Sequence, residues 1–378
     1  MKDTKLNYTL NVVARYFVGL VLLFSSFVKA VDPMGTAFKI QEYFSAWSGS
    51  LISFQGLDSL APLFSMVLIA AEFLVAVLML TGAFRSFSAW LFAALMVFFT
   101  VSTALDAFST TYGINDCGCF GDAVKLTPKQ TFFKNVILDI PMVWIVLTRN
   151  IRRKRRFERD CIITIAALLA VVFFELYNIN NEPCIDFRAW KVGREMMNTD
   201  PSLKAETFVV YREKATGAER EFSNKELMSA YNSNPDFDSQ WEWVSSRVID
   251  PHEIHADGFS MLDIDGNDHA VDFIGSADPV MIITAHHLDE VNDRGVEAIR
   301  QVMQYASENN IYTVMLTAAL PETVTDFLTL HQLTELEYYL ADDKAIETMT
   351  RSNPGFVLIE NAVVKGKWHY RKVDALVK

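Results

Sequence analysis

Residues 62–82 read PLFSMVLIAAEFLVAVLMLTG, with Glu72 as the one charged side chain. A helix of this length rises about 30 Å, the thickness of a bilayer's hydrocarbon core, so the stretch reads as a membrane span. Working outward, the same pattern recurs at Tyr8–Val31, Phe87–Phe108, Pro128–Leu147 and Cys161–Leu176, each bounded by charged or turn-forming residues. Buried core helices of a large soluble protein are the alternative, and they fail because too little polar sequence separates the runs to cover them. All five runs precede Tyr177, and the rest of the chain has the mixed composition of a soluble domain.

The charge divides at about the same place. Residues 1–199 hold 19 Lys and Arg against 15 Asp and Glu, whereas residues 200–378 hold 15 against 31. An acidic soluble half repels phosphate backbones, which argues against nucleic acid as a partner.

Basic residues in short loops mark the cytoplasmic side of a membrane protein. Lys2 and Lys5 precede the first run, Arg85 lies between the second and third, and Arg149, Arg152, Arg153, Lys154, Arg155, Arg156 and Arg159 lie between the fourth and fifth. The amino terminus is therefore expected in the cytoplasm, with the loops 32–61 and 109–127 and everything after the fifth helix outside. The first run ends in FVKAVDP, Phe27 to Pro33, without a small-x-small cleavage pattern, so it reads as an uncleaved span. The expected setting is a bacterial-type inner membrane, surrounded by membrane lipid.

Topology sorts the four cysteines. Cys161 opens the fifth helix at the cytoplasmic face, where thiols stay reduced, and reads as a small apolar helix residue. Cys117, Cys119 and Cys184 fall outside, an odd set in a compartment that permits disulfides. The first two lie in NDCGCFGD, residues 115–122. A disulfide within Cys-x-Cys closes a small, strained ring that is easily reduced, which suits exchange better than stapling. Cys184, in EPCID at 182–186, emerges on the same side and can act as a resolving thiol. Two alternatives stay open: a permanent pair between Cys184 and one loop cysteine, and a metal site, whose two or three thiolates would leave coordination incomplete.

Four spans with an external CGCFG loop before the fourth resemble the DoxX-like group of membrane proteins that includes MauE, and FVKAVDP and Glu72 resemble its pattern too. The resemblance covers about residues 8–150. It implies a four-helix transmembrane domain associated with thiol–disulfide chemistry or the maturation of exported proteins. No cofactor is evident: a quinone would suit a membrane dithiol that passes electrons on, but no motif supports one.

Glu72, Asp106, Asp139 and Glu175 lie in or near the spans, with Lys29 close to the end of the first and Lys134 in the fourth. A charge deep in lipid costs roughly 3 kcal/mol or more unless it is paired or faces a polar cavity, so each is a functional candidate. Asp106, Asp139, Glu175 and Lys29 are near enough to an interface to snorkel or pair locally. Glu72 is the deepest. A pair with Lys29, or a proton path from Glu72 toward the Cys-Gly-Cys loop, is the expectation for an intramembrane polar site.

Beyond the spans, strand-like segments at Thr207–Tyr211 and Glu219–Phe222 flank a turn at Thr216-Gly217. From about Gly258 the pattern becomes α/β. Strands are expected at Phe259–Ile264, Val271–Ile274, Val280–Thr284, Tyr312–Thr317, Gly355–Glu360 and Val363–His369, with helices near Asp289–Asn309, Glu322–His331 and Lys344–Arg351. That order resembles the thioredoxin-like fold, and SNPGFVL, Ser352 to Leu358, resembles the segment in which that family's cis-proline, here Pro354, opens a strand. Where the family places Cys-x-x-Cys, this chain has AHHLD, Ala285 to Asp289, and no cysteine follows Cys184. The resemblance then implies a partner-binding surface beside Pro354 in place of a second redox centre. His286 and His287 read as a surface pair, and Trp190, Trp241 and Trp243 as packing anchors. Asp263, Asp265, Asn267 and Asp268 read as a polar turn, since the distal glutamate of a calcium loop is missing.

The expected organisation is a membrane helical bundle followed by a soluble α/β domain. Residues 1–150 form a DoxX/MauE-like four-helix domain, 151–180 a basic cytoplasmic loop and fifth helix, 181–257 a β-rich linker module, and 258–378 a thioredoxin-like domain without redox cysteines. The expected function is a thiol–disulfide oxidoreductase component that acts on an extracytoplasmic thiol protein through Cys117, Cys119 and Cys184. The competing class is a non-enzymatic membrane scaffold with structural cysteines.

Overall fold

A computed structural model describes residues 5–47, 57–108, 121–124, 126–149, 157–256 and 258–377, and the chain divides into two compact units between Arg188 and Ala189. The first holds helices α1 (Lys5–Val31), α2 (Pro33–Trp47), α3 (Ala61–Thr81), α4 (Arg85–Phe108), α5 (Pro128–Leu147) and α6 (Phe157–Ile179). Among the described residues five helices are long and apolar enough to cross a membrane: Leu6–Val31, Asp58–Thr81, Arg85–Phe108, Pro128–Leu147 and Phe157–Ile179. The chain is a multi-pass membrane protein. Its fifth span begins four residues before Cys161, because Glu158 and Asp160 favour the positive end of the helix dipole and extend α6 beyond its apolar run.

The segment 32–61 is not simply a loop, since α2 occupies half of it. Pro33 has no amide hydrogen to continue α1, so the helix breaks there. Asp32 Oδ1 then accepts from the Gly35 amide at 2.9 Å and caps the new helix. α2 lies along α3, with Phe44 edge-to-face on Phe64 and Ser65 Oγ donating to the Pro33 carbonyl at 2.7 Å.

The bundle core is a continuous apolar cluster that includes Val18, Leu22, Val75, Met79, Phe92, Met96, Leu138 and Ile145. α6 packs on α3 through Leu74, Leu78 and Ala167. Gly19 allows α1 and α3 to approach closely, since a Cβ there would lie 2.8 Å from Leu80 Cγ. At one end of the bundle the buried Arg15 donates through Nη2 to the Leu78 and Met79 carbonyls at 2.8 and 2.7 Å, bonding the last turn of α3, where carbonyls run short of helical partners. The opposite end, where α1 gives way to α2 and α4 ends, is called the loop end below.

The second unit contains β1 (Glu206–Glu213), β2 (Glu219–Ser223), α7 (Asn224–Ser233), α8 (Phe237–Gln240), β3 (Trp241–Ile249), α9 (Ala270–Ile274), β4 (Val280–Thr284), α10 (Asp293–Glu308), β5 (Tyr312–Thr317), α11 (Pro321–Leu330), β6 (Glu337–Leu340), α12 (Asp343–Met349), β7 (Gly355–Glu360), β8 (Val363–His369) and α13 (Asp374–Val377). A small antiparallel sheet has the order β2-β1-β3. It is closed on one side by an aromatic cluster of Tyr211, Phe222, Tyr231, Phe237 and Trp241. Trp243 lies outside that cluster and is 57% exposed, so it does not anchor the sheet.

The larger sheet has the order β6-β5-β4-β7-β8, with β4, β5 and β6 parallel and β7 and β8 antiparallel. Every residue of β4 is buried. Met281 and Ile283 face a core that includes Val296, Ile299 and Phe327, while Val280 and Ile282 face one that includes Trp190, Met261 and Met349. Both faces of the sheet are covered, which explains why β4 reads as a continuous apolar run. Two expected strands are corrected. Residues 270–274 form the helix α9, and the 259–264 region makes only isolated bridges from Leu262 to Asp268 and Leu340. Its backbone is held instead by the turn in which Asp263 Oδ1 accepts from the Asp265 and Asn267 amides at 2.9 and 2.8 Å.

Candidate functional site

Cys117 and Cys119 lie outside the described residues. The turn Gly121–Ala123, which follows them in sequence, sits against the last turn of α1. Gly121 has a φ of +50°, and a Cβ there would stand 3.4 Å from Val28 Cγ1. Cys184 is exposed, and among the described residues its thiol is free. Its amide donates to Asn178 Oδ1 at 3.0 Å, and Asn178 Nδ2 donates to the Ala30 carbonyl at 3.1 Å. Val28 and Ala30 share one turn, so the residues after Cys119 and the residues holding Cys184 are anchored to the same piece of helix.

Arg188 stiffens the Cys184 turn. Its guanidinium is buried and grips Asp186 with two nitrogens at 2.8 and 3.0 Å and Glu182 at 2.9 Å. Burial alone would lower its pKa, but the carboxylates of Glu182, Asp186 and Asp32 outweigh burial and raise it, so the cation is permanent.

The ionisable residues of the spans fall into separate groups. Lys29 Nζ lies 2.7 Å from Glu72 Oε2, with the side chains 5% and 2% exposed, and the ammonium also sits 5.0 Å from the Phe99 ring centroid. Asp106 accepts from the Tyr43 hydroxyl at 2.5 Å, and Asp139 from the Thr100 hydroxyl at 3.0 Å. Glu175 neither snorkels nor pairs. It is fully buried, and among the described residues neither of its carboxyl oxygens has a hydrogen-bond partner.

In the second unit, the position after β4 is built differently from an exposed pair of histidines. His286 is 5% exposed, because the Ala285 amide donates to Leu316 at 2.9 Å and carries the sheet one residue past β4. His287 remains half-exposed, with Nε2 3.7 Å from Asp343 Oδ2, and its carbonyl accepts from Asn353 Nδ2 at 2.7 Å. The Asn353–Pro354 bond is cis. Pro354 is buried against α10, where a Cβ on Gly295 would lie 2.7 Å from Pro354 Cδ.

Burial, with the charges of His287 and Arg351, pushes His286 down from 6.5 to about 4. The unfolded chain therefore takes up this proton first as the pH falls. Stability conferred by a neutral His286 is complete above about pH 6.5 and is lost toward pH 4, by at most about 1.4 kcal/mol per pH unit. Chemical unfolding of the full chain at stepped pH is expected to show this slope, and His286→Gln is expected to lack that component of it.

Several of these residues escaped a reading focused on charge and cysteine. Asn178, Arg188, Tyr43 and Thr100 are unremarkable singly. The available signal was spacing, because Thr100, Thr103 and Asp106, and likewise Asn135 and Asp139, recur at one helical turn.

Residues 7–148 match the family model described as methylamine utilisation protein MauE. The chain is also similar to Protein TlpB of Flavobacterium psychrophilum, 28% identical over 116 residues, a stretch amounting to 30% of this chain and 32% of that protein. No solved structure matches significantly.

Proposed function

We propose that this membrane protein takes part in thiol–disulfide exchange or the maturation of exported proteins, with its loop end and second unit outside the cytoplasm. The observation that carries the reading is the common anchorage on α1. The turn after Cys119 rests on Val28, and the turn holding Cys184 is bonded to Ala30 through Asn178. In the exchange a loop thiolate attacks a partner's disulfide, one S–S bond forms as another breaks, and the departing thiolate takes up a proton. Cys184 resolves the mixed disulfide.

The second unit is read as a thioredoxin-like domain without redox cysteines. The sheet order, its three parallel strands and the antiparallel hairpin support that reading. With the Pro354 ring buried, a partner segment would meet His287 and Asn353 instead.

Cys117→Ser and Cys119→Ser test the function in intact cells by alkylation followed by non-reducing electrophoresis. With the resolving thiol removed, Cys184→Ser is expected to accumulate a mixed disulfide with another protein, and combining it with whichever of Cys117→Ser and Cys119→Ser removes the attacking thiol is expected to abolish that adduct. Absence of an adduct in all three variants would make the chain a scaffold.

A further inference from the structure

The membrane unit carries a second polar feature that thiol exchange does not use. α4 and α5 flank the segment 109–127 in the chain, and they meet through small polar side chains stacked one turn apart. Thr100 Oγ1 donates to Asp139 Oδ2 at 3.0 Å. One turn nearer the loop end, Asn135 Nδ2 donates to Thr103 Oγ1 at 3.1 Å and to the Phe99 carbonyl at 3.3 Å. One turn beyond, the Tyr43 hydroxyl of α2 reaches Asp106 Oδ2 at 2.5 Å.

This seam is buried toward the loop end and its hydrogen bonding is incomplete. Asn135 and Thr103 are each 2% exposed and Asp106 is 8% exposed. Among the described residues, Oδ1 of Asp106 and Oδ1 of Asp139 are both buried without a hydrogen-bond partner. Such a bare carboxyl oxygen is destabilising, more so if charged, unless it holds a proton or water. Apolar residues at the same positions would have packed α4 against α5 at no such cost.

The neighbouring charges narrow the ligand. Lys39 and Glu42 of α2 act on Asp106 together with Tyr43. Lys29, from α1, reaches the Phe99 ring but is bound to Glu72 of α3. Asp139 has Thr100 as its hydrogen-bond partner from α4. A metal cation needs several oxygens converging on one point, whereas the Asp106 and Asp139 levels are separated by about 9 Å of helix rise. Hydroxyls one turn apart, roughly 5–6 Å, are a span that a single water can bridge instead.

We propose that this seam conducts protons between the loop end of the bundle and Asp139, whose carboxyl is the terminal proton-binding site. Each transfer makes one O–H bond as it breaks another. The proton enters from bulk water past Tyr43 and Asp106, crosses the Thr103 and Thr100 hydroxyls, and neutralises Asp139. The inference stands independently of the thiol chemistry.

Infrared difference spectroscopy of the full-length protein in lipid nanodiscs, switched from H2O to D2O, tests it through the carbonyl stretch of protonated carboxyl groups. Asp139→Asn is expected to remove one deuterium-sensitive component. Asp106→Asn and Thr103→Val are expected to retain that component and slow its deuterium shift about tenfold, the effect of losing one hydrogen-bonded step. Thr100→Val leaves Asp139 in place and is expected to shift its band, which keeps the test decisive should Asp139→Asn fail to fold. A spectrum unchanged by Asp139→Asn and Thr100→Val, or exchange at the wild-type rate in Asp106→Asn and Thr103→Val, would reduce the seam to helix packing.

Discussion

Lys29→Met is expected to destabilise the full-length protein by about 3–5 kcal/mol, read as the loss of unfolding free energy in detergent. The pair it breaks is buried on both sides, with Lys29 5% and Glu72 1% exposed. Removing the ammonium strands a carboxylate among apolar helices, and the cost is that of an uncompensated charge. Replacing both partners removes both desolvation penalties. Lys29→Met combined with Glu72→Leu is therefore expected to recover most of the loss, and a double variant as unstable as the single one would show that the pair does more than neutralise itself.

Gly355→Ala is expected to cost about 3 kcal/mol, at the upper end of ordinary overpacking. A Cβ there would stand 2.3 Å from Thr350 Oγ1 and 2.8 Å from Thr284 Oγ1. Those hydroxyls are themselves bonded at 2.9 Å and buried, so neither can swing away freely. The damage would fall where β7 leaves the cis-proline segment and pairs with β4. Adding Thr350→Ala removes the closest obstacle and is expected to return part of the lost stability, measured by denaturant unfolding of the full chain.

The sequence made some levels of this structure legible and hid others for physical reasons. A span is a local property, since run length and hydropathy suffice, and all five were readable. α2 was not, because Pro33 at its start reads as an interruption and its composition is mixed. Val271–Ile274 is apolar enough for a strand, yet its five-residue helix is set by the bridges around Leu262 and Asp268. β6 is four residues long and owes its existence to parallel pairing with β5. The burial of His286 is likewise tertiary, because the sheet that covers it is assembled from strands distant in sequence. Within the membrane, Glu72 and Lys29 stand out as charges in apolar runs, whereas the neutral Thr100, Thr103 and Asn135 carry no such mark until α4 and α5 are paired.

Arg15 and Lys29 sit on one continuous helix, and both are buried with their charges satisfied inside the bundle. Between them α1 rises about 21 Å, against about 30 Å for an average hydrocarbon core. Both charges face the bundle interior, whereas the exposed large side chains of the same helix are apolar from Leu6 to Phe27, about 32 Å of rise, so the lipid meets an apolar belt of full thickness. The two cations therefore sit about 21 Å apart on one helix without changing the thickness of bilayer that the first span fits.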